Sequence, residues 1–426
     1  MAETEDRTPT QTEVARTGPT KHSLEAYGAR PKEERKGIAL CLSGGGFRAA
    51  LFHLGALRRL NELGVLSKID TISSVSGGSI LSSHLAQRIG TWPERGRVIA
   101  DWETRVEEPF RALSRRNLRT WPVAKRFLLP WNWLRSSTAI EALQRTYDRH
   151  LEGLKLTSLP DHPRFIFCAT DMVFGINWVF DSGLCDGQRG WLGHEAAYLS
   201  PAPAWPVARA VAGSSCFPPV FAPLPLHLQP GDLRGGNYKK PDRDKKIKRI
   251  SLTDGGAYDN LGLEPVWEDH EIVMVSDGGA VFEAEEGSGL FWRVSRPLSI
   301  ATNQGTSLRK RWLISNFNSG ELDGAYWGIG STVAHYEVQT PGYAEELVDD
   351  RISEVRTDLD AFSEAECAVL MNHGYLLGEA AVRRHLPAMI IPNAEPFCIP
   401  YPEWMDEGRV KAALANSHKR KLLGRW

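Results

Sequence analysis

Three short stretches of this chain combine a reactive side chain with backbone small enough to approach a substrate closely. The first is Ser73-Ser74-Val75-Ser76-Gly77-Gly78-Ser79. It lies between a short apolar run and a helical pattern, so Ser76 is predicted at a sharp strand-to-helix turn. A nucleophile in such a turn needs small residues two before and two after it. Ser74 and Gly78 meet that need, although Ser74 stands where G-x-S-x-G has glycine. The helix beginning at Gly77 would also aim its free N–H groups at the reacting centre. The plainer alternative is a small-residue turn without chemistry. The second stretch is Gly44-Gly45-Gly46-Phe47-Arg48-Ala49, again between strand and helix. Three glycines can present several N–H donors to an anion, whether the oxyanion of an acyl transfer or a phosphate. No Gly-Lys-Ser/Thr follows, which excludes a P-loop. Ala49 replaces the third glycine of a dinucleotide fingerprint, and no acidic residue ends the next strand. The third stretch is Asp254-Gly255-Gly256, after a short apolar run and therefore expected at the carboxyl edge of a sheet, where open α/β sites lie. An Asx turn is the alternative, and Asp277-Gly278-Gly279 is a direct rival. Asp254 is favoured because its tail, Tyr258-Asp259-Asn260-Leu261-Gly262-Leu263-Glu264-Pro265, has a distinctive form.

These residues need a frame. Residues 38–42 form a continuous apolar run, as expected of a strand buried on both faces. Apolar residues at helical spacing follow over 47–63, then a strand at 69–73 and a helix at 77–89. Strand–turn–helix twice in succession predicts a parallel α/β sheet. Further strands are expected at 164–169, 177–180, 250–253 and 272–276, a short helix at 207–213, and a helical stretch within 351–386. Residues 1–36, polar and evenly charged, are expected to be a disordered or loosely docked arm without the apolar region of a signal peptide. A single domain is expected over 37–400, with insertions near 92–160, 229–248 and 281–345, and a C-terminal tail over 401–426.

Taken together the motifs resemble the patatin-like phospholipase family: a glycine-rich turn with arginine, a serine elbow after one more strand, and a late Asp-Gly-Gly followed by Asn and Pro. Residues 210–223, Ala-Val-Ala-Gly-Ser-Ser-Cys-Phe-Pro-Pro-Val-Phe-Ala-Pro, are similar to the family's Ala/Ser-rich helix end and Phe-Pro turn. The resemblance covers roughly 37–90, 160–225 and 249–280. It implies a three-layer α/β fold, a central mostly parallel sheet with helices on both faces. It implies a serine lipid acyl hydrolase in which Ser76 is the nucleophile, Asp254 its base, and Gly44, Gly45, Gly46 and Arg48 the oxyanion-binding group. No catalytic histidine and no cofactor or metal would be required, and the substrate would be a lipid or phospholipid. Ser74 and Ala49 depart from the family pattern, small residue for small residue. An acyl-carrier transacylase shares the elbow but needs a histidine, and a non-catalytic lipid-binding protein remains a further alternative. His53 and His84 fall too far along their helices to be natural bases, while His227 and His335 stay open.

Composition narrows the partners. Net charge is −1, from 51 basic and 52 acidic residues, so no global field points to nucleic acid. Six scattered cysteines without a CxxC pair read as reduced thiols, and a cytoplasmic location is expected. No apolar run is long enough to span a bilayer. One local patch stands out. Residues 109–140 hold Arg111, Arg115, Arg116, Arg119, Lys125, Arg126 and Arg135 with Trp121, Trp131 and Trp133, and no acid. Basic groups interleaved with tryptophan suit peripheral contact with an anionic membrane; a solvated helix with packed tryptophans is the alternative. Oligomeric state is not encoded in any of these features.

Overall fold

The computed structural model of the protein describes residues 32–128, 138–185, 187–194, 198–201, 204–218, 220–233, 241–280, 286–420 and 424–425. The arm expected over 1–36 therefore lies outside the described residues, except for its end. From Lys32 the chain is tied down: Lys32 pairs with Asp323 at 2.9 Å and Arg35 donates to the Glu321 carbonyl.

The sheet grows outward from β1 (Ile38–Leu42), which is buried from Ala39 onward. Its side chains alternate between two cores, Leu40 and Leu42 on one face and Ala39 and Cys41 on the other. That is what a strand covered on both sides requires. Helix α1 (Gly46–Glu62), β2 (Thr71–Val75) and α2 (Gly77–Ile89) follow in the predicted order. The segment 92–160 contributes α3 (Glu108–Ser114), α4 (Thr120–Leu128) and α5 (Thr138–His150). It is no loose insertion: Trp92, Phe110, Ile140 and Leu143 belong to the main core.

Strands β3 (Arg164–Asp171), β4 (Ile176–Cys185), β5 (Gln188–His194) and β6 (Tyr198–Pro201) form an antiparallel meander. Helix α6 (Val207–Ser214), the short β7 (Leu224–Pro225), β8 (Ser251–Asp254) and β9 (Ile272–Asp277) come next. Then α7 (Leu290–Ser319) leads to β10 (Asp323–Gly328), and α8 (Glu364–His385) and α9 (Glu407–Leu414) close the fold. The main order is β10-β9-β1-β2-β3-β4-β5-β6, with neighbours parallel from β10 to β3. Helices α1, α2 and α8 cover one face, and the lower half of α7 with residues 261–266 covers the other.

Three expectations change. The segment 281–345 holds an edge strand, β10, beyond its long helix; its Gly-rich, polar-ended sequence hid it. The strand carrying Asp254 is antiparallel to its neighbour β3, not parallel. Residues beyond 400 are docked rather than trailing: Arg425 pairs with Glu366 at 2.9 Å, and the Ser417 carbonyl accepts from the Arg356 N–H.

Helices α1 and α8 touch backbone to backbone. A Cβ on Gly374 would lie 1.9 Å from the Phe52 carbonyl oxygen, and one on Gly55 1.9 Å from that of Met371. Neither contact can be relieved by a side-chain rotation. Gly374→Ala should therefore destabilise the protein by about 1–3 kcal/mol, the usual cost of overpacking. An unchanged denaturation midpoint in urea would show that the two helices do not meet there.

Candidate active site

Strand β3 has one edge shared by two neighbours that run toward each other. β2 pairs with it in parallel up to Val75 opposite Cys168. β8 pairs with it antiparallel, from Leu252 opposite Asp171 down to Asp254 opposite Ala169. The two strands meet head-on, and the chain leaves the sheet at Ser76 on one side and just after Asp254 on the other.

At Ser76 the backbone takes φ 49° and ψ −113°, a strained conformation for a residue with a Cβ. Packing leaves no alternative. A Cβ on Gly77 would lie 2.1 Å from the Gly46 carbonyl oxygen, and one on Gly78 2.3 Å from that of Leu42. This close approach is why two glycines follow the serine. The Ser76 N–H donates to Ser214 Oγ at 2.9 Å, and Ser214 donates to the Cys168 carbonyl at 2.6 Å. The end of α6 thus caps the turn. Ser74, the departure from glycine, fits because its hydroxyl bonds the Ile166 carbonyl and Ser82.

Asp254 is buried, accepts a bond from the Gly256 N–H at 2.8 Å, and feels the Ser76 side chain as a stabilising influence on its charged form. Burial pushes its pKa up to about 6, against the opposing pull of the Gly256 N–H and the Ser76 side chain. The rival Asp277 is held the other way. Burial would raise it, but Lys310 at 2.5 Å, the Gly279 N–H and the Tyr326 hydroxyl together bring it below the usual carboxylate range. Two Asp-Gly-Gly turns of the same sequence therefore hold a carboxyl whose pKa is raised and an ion-paired one whose pKa is lowered.

The glycine turn faces this pair. Gly45 and Gly46 have φ of 141° and 58°, and their N–H groups bond no acceptor among the described residues. The Gly44 N–H does: it donates to the Asn260 carbonyl at 3.0 Å. Gly44 is thus corrected from donor to spacer. A Cβ there would lie 2.4 Å from Asn260 Oδ1 and 3.2 Å from Ser76 Cβ. Asn260 also explains Gly256 and Gly279, where a Cβ would meet its amide at 2.6 and 2.7 Å. The first turns of α1 and α2 converge, since a Cβ on Gly77 would lie 2.9 Å from the Gly46 nitrogen. Gly77 adds another N–H without an acceptor among the described residues.

No histidine bonds Ser76 or Asp254 among the described residues. His53 is buried, with Nε2 donating to the Ser43 carbonyl at 3.0 Å and Nδ1 at 2.7 Å from Ser276 Oγ. Burial lowers its pKa to about 4. His84 bonds His150 and the Val106 carbonyl, His335 lies against the Thr332 N–H, and His227 is exposed. Among the described residues no cluster of three His, Cys, Asp or Glu is placed to hold a metal ion.

The family model for patatin-like phospholipases matches residues 40–267. The chain belongs to the patatin-like phospholipase family. No curated protein matches it. Among solved structures, human GIVD cytosolic phospholipase A2 is similar with a TM-score of 0.36 and 12% identity, over 63% of this chain and 48% of that one. VipD from Legionella pneumophila is similar with a TM-score of 0.35 and 14% identity, over 90% of this chain and 75% of that one. The chain thus spans about half the length of the phospholipase A2 it matches.

Within this patatin-like site two expectations are corrected. Arg48 is not turned toward an oxyanion. It is buried, and its guanidinium donates to the carbonyls of Gly278, Ser353 and Val355, so it clamps the glycine turn from beneath. The basic segment is also less cationic than its sequence. Arg111 and Arg115 pair with Glu364, and Arg119 pairs with Asp358. Arg116 and Trp121 are exposed, the latter by 55%. Trp131, Trp133 and Arg135 lie outside the described residues. Sequence reasoning could not find these acids, which lie more than 200 residues away. It also passed over Ser214, whose only signal was its place in the Ala/Ser-rich motif.

Ser214→Ala leaves the Ser76 N–H buried without its acceptor, a loss of about 1–3 kcal/mol. It should lower thermal stability and slow fluorophosphonate labelling of Ser76, because the turn loses its cap. Labelling at the wild-type rate would show that Ser214 does not hold the turn.

Proposed function

We propose that the protein is a serine lipid acyl hydrolase that cleaves fatty-acyl esters of lipids or phospholipids through an acyl-enzyme on Ser76, with Asp254 as the base. The observation that supports this reading is the head-on meeting of β2 and β8, which ends both strands at one point, Ser76 leaving one and the buried carboxyl of Asp254, its pKa raised by burial to about 6, closing the other. A base poised just below neutral pH is ionised when needed and still accepts a proton readily.

The steps follow from these groups. Asp254 takes the Ser76 proton as Oγ attacks the ester carbonyl. The oxyanion develops where the N–H groups of Gly45, Gly46 and Gly77 bond no acceptor among the described residues and two helix N-termini converge. Collapse breaks the ester bond, and the leaving alcohol takes the proton from Asp254. Water then attacks the acyl-enzyme while Asp254 accepts its proton. The fatty acid leaves, and the proton returns to Ser76. The transacylase alternative requires a histidine base, and among the described residues no histidine bonds Ser76 or Asp254.

Ser76→Ala should reduce ester hydrolysis by a factor on the order of 10⁶ and abolish fluorophosphonate labelling, with the fold unchanged by circular dichroism. Activity at the wild-type level would put the nucleophile elsewhere. Asp254→Asn should be nearly as damaging, whereas Asp277→Asn should lower stability more than turnover. The reverse pattern would exchange the two aspartates.

The pH dependence has a definite sign. The base must be ionised, so kcat/KM should fall with a one-proton slope below about pH 6, the value burial gives Asp254. That folded pKa lies above the ordinary carboxylate value, so the stability linked to the protonated carboxyl is full below the unfolded value and lost as pH rises through about 6. Asp254→Asn should therefore unfold no more easily than wild type at slightly alkaline pH, despite being inactive. Rate profiles and denaturation curves across this range test both halves; a flat rate profile through pH 6 would remove Asp254 as the base.

A further inference from the structure

Beside the site stands an amide that the proposed reaction does not use. Asn260 is half-buried, and its side chain hydrogen-bonds nothing among the described residues. Neither its oxygen nor its nitrogen is sealed from the surface. Polar side chains drawn into a fold are normally bonded. The position is nonetheless firmly held. The Asn260 carbonyl accepts the Gly44 N–H at 3.0 Å, and the Asp259 carboxylate accepts the N–H groups of Leu261 and Glu264 at 3.0 and 2.9 Å. Three glycines leave room for the amide. A Cβ on Gly44 or Gly256 would lie 2.4 or 2.6 Å from Asn260 Oδ1, and one on Gly279 would lie 2.7 Å from Nδ2. None of the three has a positive φ, so backbone conformation does not call for glycine there. The space taken by the amide does.

The amide lies on the side of the reacting centre from which the alcohol must leave. Gly45, Gly46 and Gly77 stand at the starts of α1 and α2, which cover one face of the sheet. Asn260 arrives from the other face, immediately before Leu261, Leu263 and Val266 of the second core. It reaches the base: a Cβ on Gly256 would lie 2.6 Å from Asn260 Oδ1 and 3.1 Å from Asp254 Oδ1. It also reaches the nucleophile: a Cβ on Gly44 would lie 2.4 Å from Asn260 Oδ1 and 3.2 Å from Ser76 Cβ. In the proposed reaction Asp254 returns the serine proton to the departing alcohol oxygen. That oxygen must therefore stand next to Asp254. The Asn260 amide, with two N–H donors and a carbonyl acceptor, is then beside the alcohol rather than the oxyanion.

We propose that Asn260 is a specificity-determining residue that hydrogen-bonds the leaving alcohol and selects esters of glycerol-type alcohols, which carry a second oxygen on the carbon next to the ester-bearing one. A plain alkyl alcohol offers the amide no such partner. A site built to hydrogen-bond a substrate oxygen discriminates against the analogue that lacks it, because the site's polar group is left unpaired. The amide makes and breaks no covalent bond. Once the alcohol has gone, the acyl-enzyme is the same whichever ester supplied it, so Asn260 acts on acylation and not on deacylation. The inference rests on the lipid acyl hydrolase reading, since it needs an ester with an alcohol to lose.

The test compares 1-octanoylglycerol with propyl octanoate in the same detergent micelles. The two esters share an acyl chain, and their alcohols differ only by two hydroxyls. For the wild-type full chain, Asn260→Ala and Asn260→Leu, kcat/KM is measured on both esters, per active site titrated with a fluorophosphonate. The quantity compared is the ratio of glyceryl to propyl ester. Micelle partition, intrinsic leaving ability and the folded fraction are common to numerator and denominator or to all three proteins, so a change in the ratio belongs to residue 260. Asn260→Ala should cut the ratio about 10-fold, the loss of one neutral hydrogen bond. Asn260→Leu, which refills the volume without polar atoms, should cut it equally. A ratio unchanged in both variants would overturn the proposal. So would equal losses on the two esters, the mark of a disturbed site, or a ratio restored by leucine, the mark of a filled gap. A wild-type chain that hydrolyses neither ester nor phospholipid and takes no label at Ser76 would remove the hydrolase reading and this inference with it. An active wild type whose ratio survives both substitutions removes the Asn260 inference alone.

Discussion

The shared edge of β3 is the constraint on which the rest of the site depends. One strand pairs with β2 along Arg164–Cys168 and with β8 along Ala169–Asp171, and these neighbours point at each other. Neither can continue without colliding with the other. Both chains must turn out of the sheet at the same point, one through Ser76 and one after Asp254. Ladders of backbone hydrogen bonds, rather than loop conformations, therefore set the distance between the two side chains. A rigid sheet fixes the spacing of two side chains more closely than a loop can.

That arrangement is costly locally. The Ser76 backbone conformation costs about 1–3 kcal/mol, and a carboxyl is buried beside it. The surroundings hold both in place. Ser214 caps the strained turn, three glycines make room for the Asn260 amide, and the crossing of α1 on α8 brings backbone against backbone. The same burial gives Asp254 its raised pKa. Asp277 shows how little the local motif decides. It has the same two glycines after a strand, but Lys310 reaches it from α7 and keeps it ionised.

Much of the support comes from far along the chain. The Asp358 carbonyl accepts the Phe47 N–H at 2.9 Å, and a Cβ on Gly46 would lie 2.5 Å from the same oxygen. The Asp358 carboxylate pairs with Arg119. Arg48 grips the carbonyls of Ser353 and Val355. The glycine turn is thus pressed into shape by residues 353–358, outside the 40–267 span that matches the family. Arg119, at first sight part of a surface patch, is one of its indirect supports.

What the sequence determined by itself was local. Residues 38–89 were legible as strand–turn–helix twice over, because apolar periodicity and the need for glycine at tight contacts act between near neighbours. The same short-range rules marked Ser76 and the glycine turn, and Asp254 came through its unusual tail. Tertiary structure decided what depends on partners distant in the chain. The direction of β8 was one such matter, since a four-residue strand carries no record of which neighbour it will pair with. So were the separate states of Asp254 and Asp277, the commitment of the Gly44 N–H to Asn260, and the use of Arg48 as a clamp. The acids that offset the 109–140 patch belong with them. Electrostatics and hydrogen-bond satisfaction depend on distance in space, and distance in space is set only when the sheet closes.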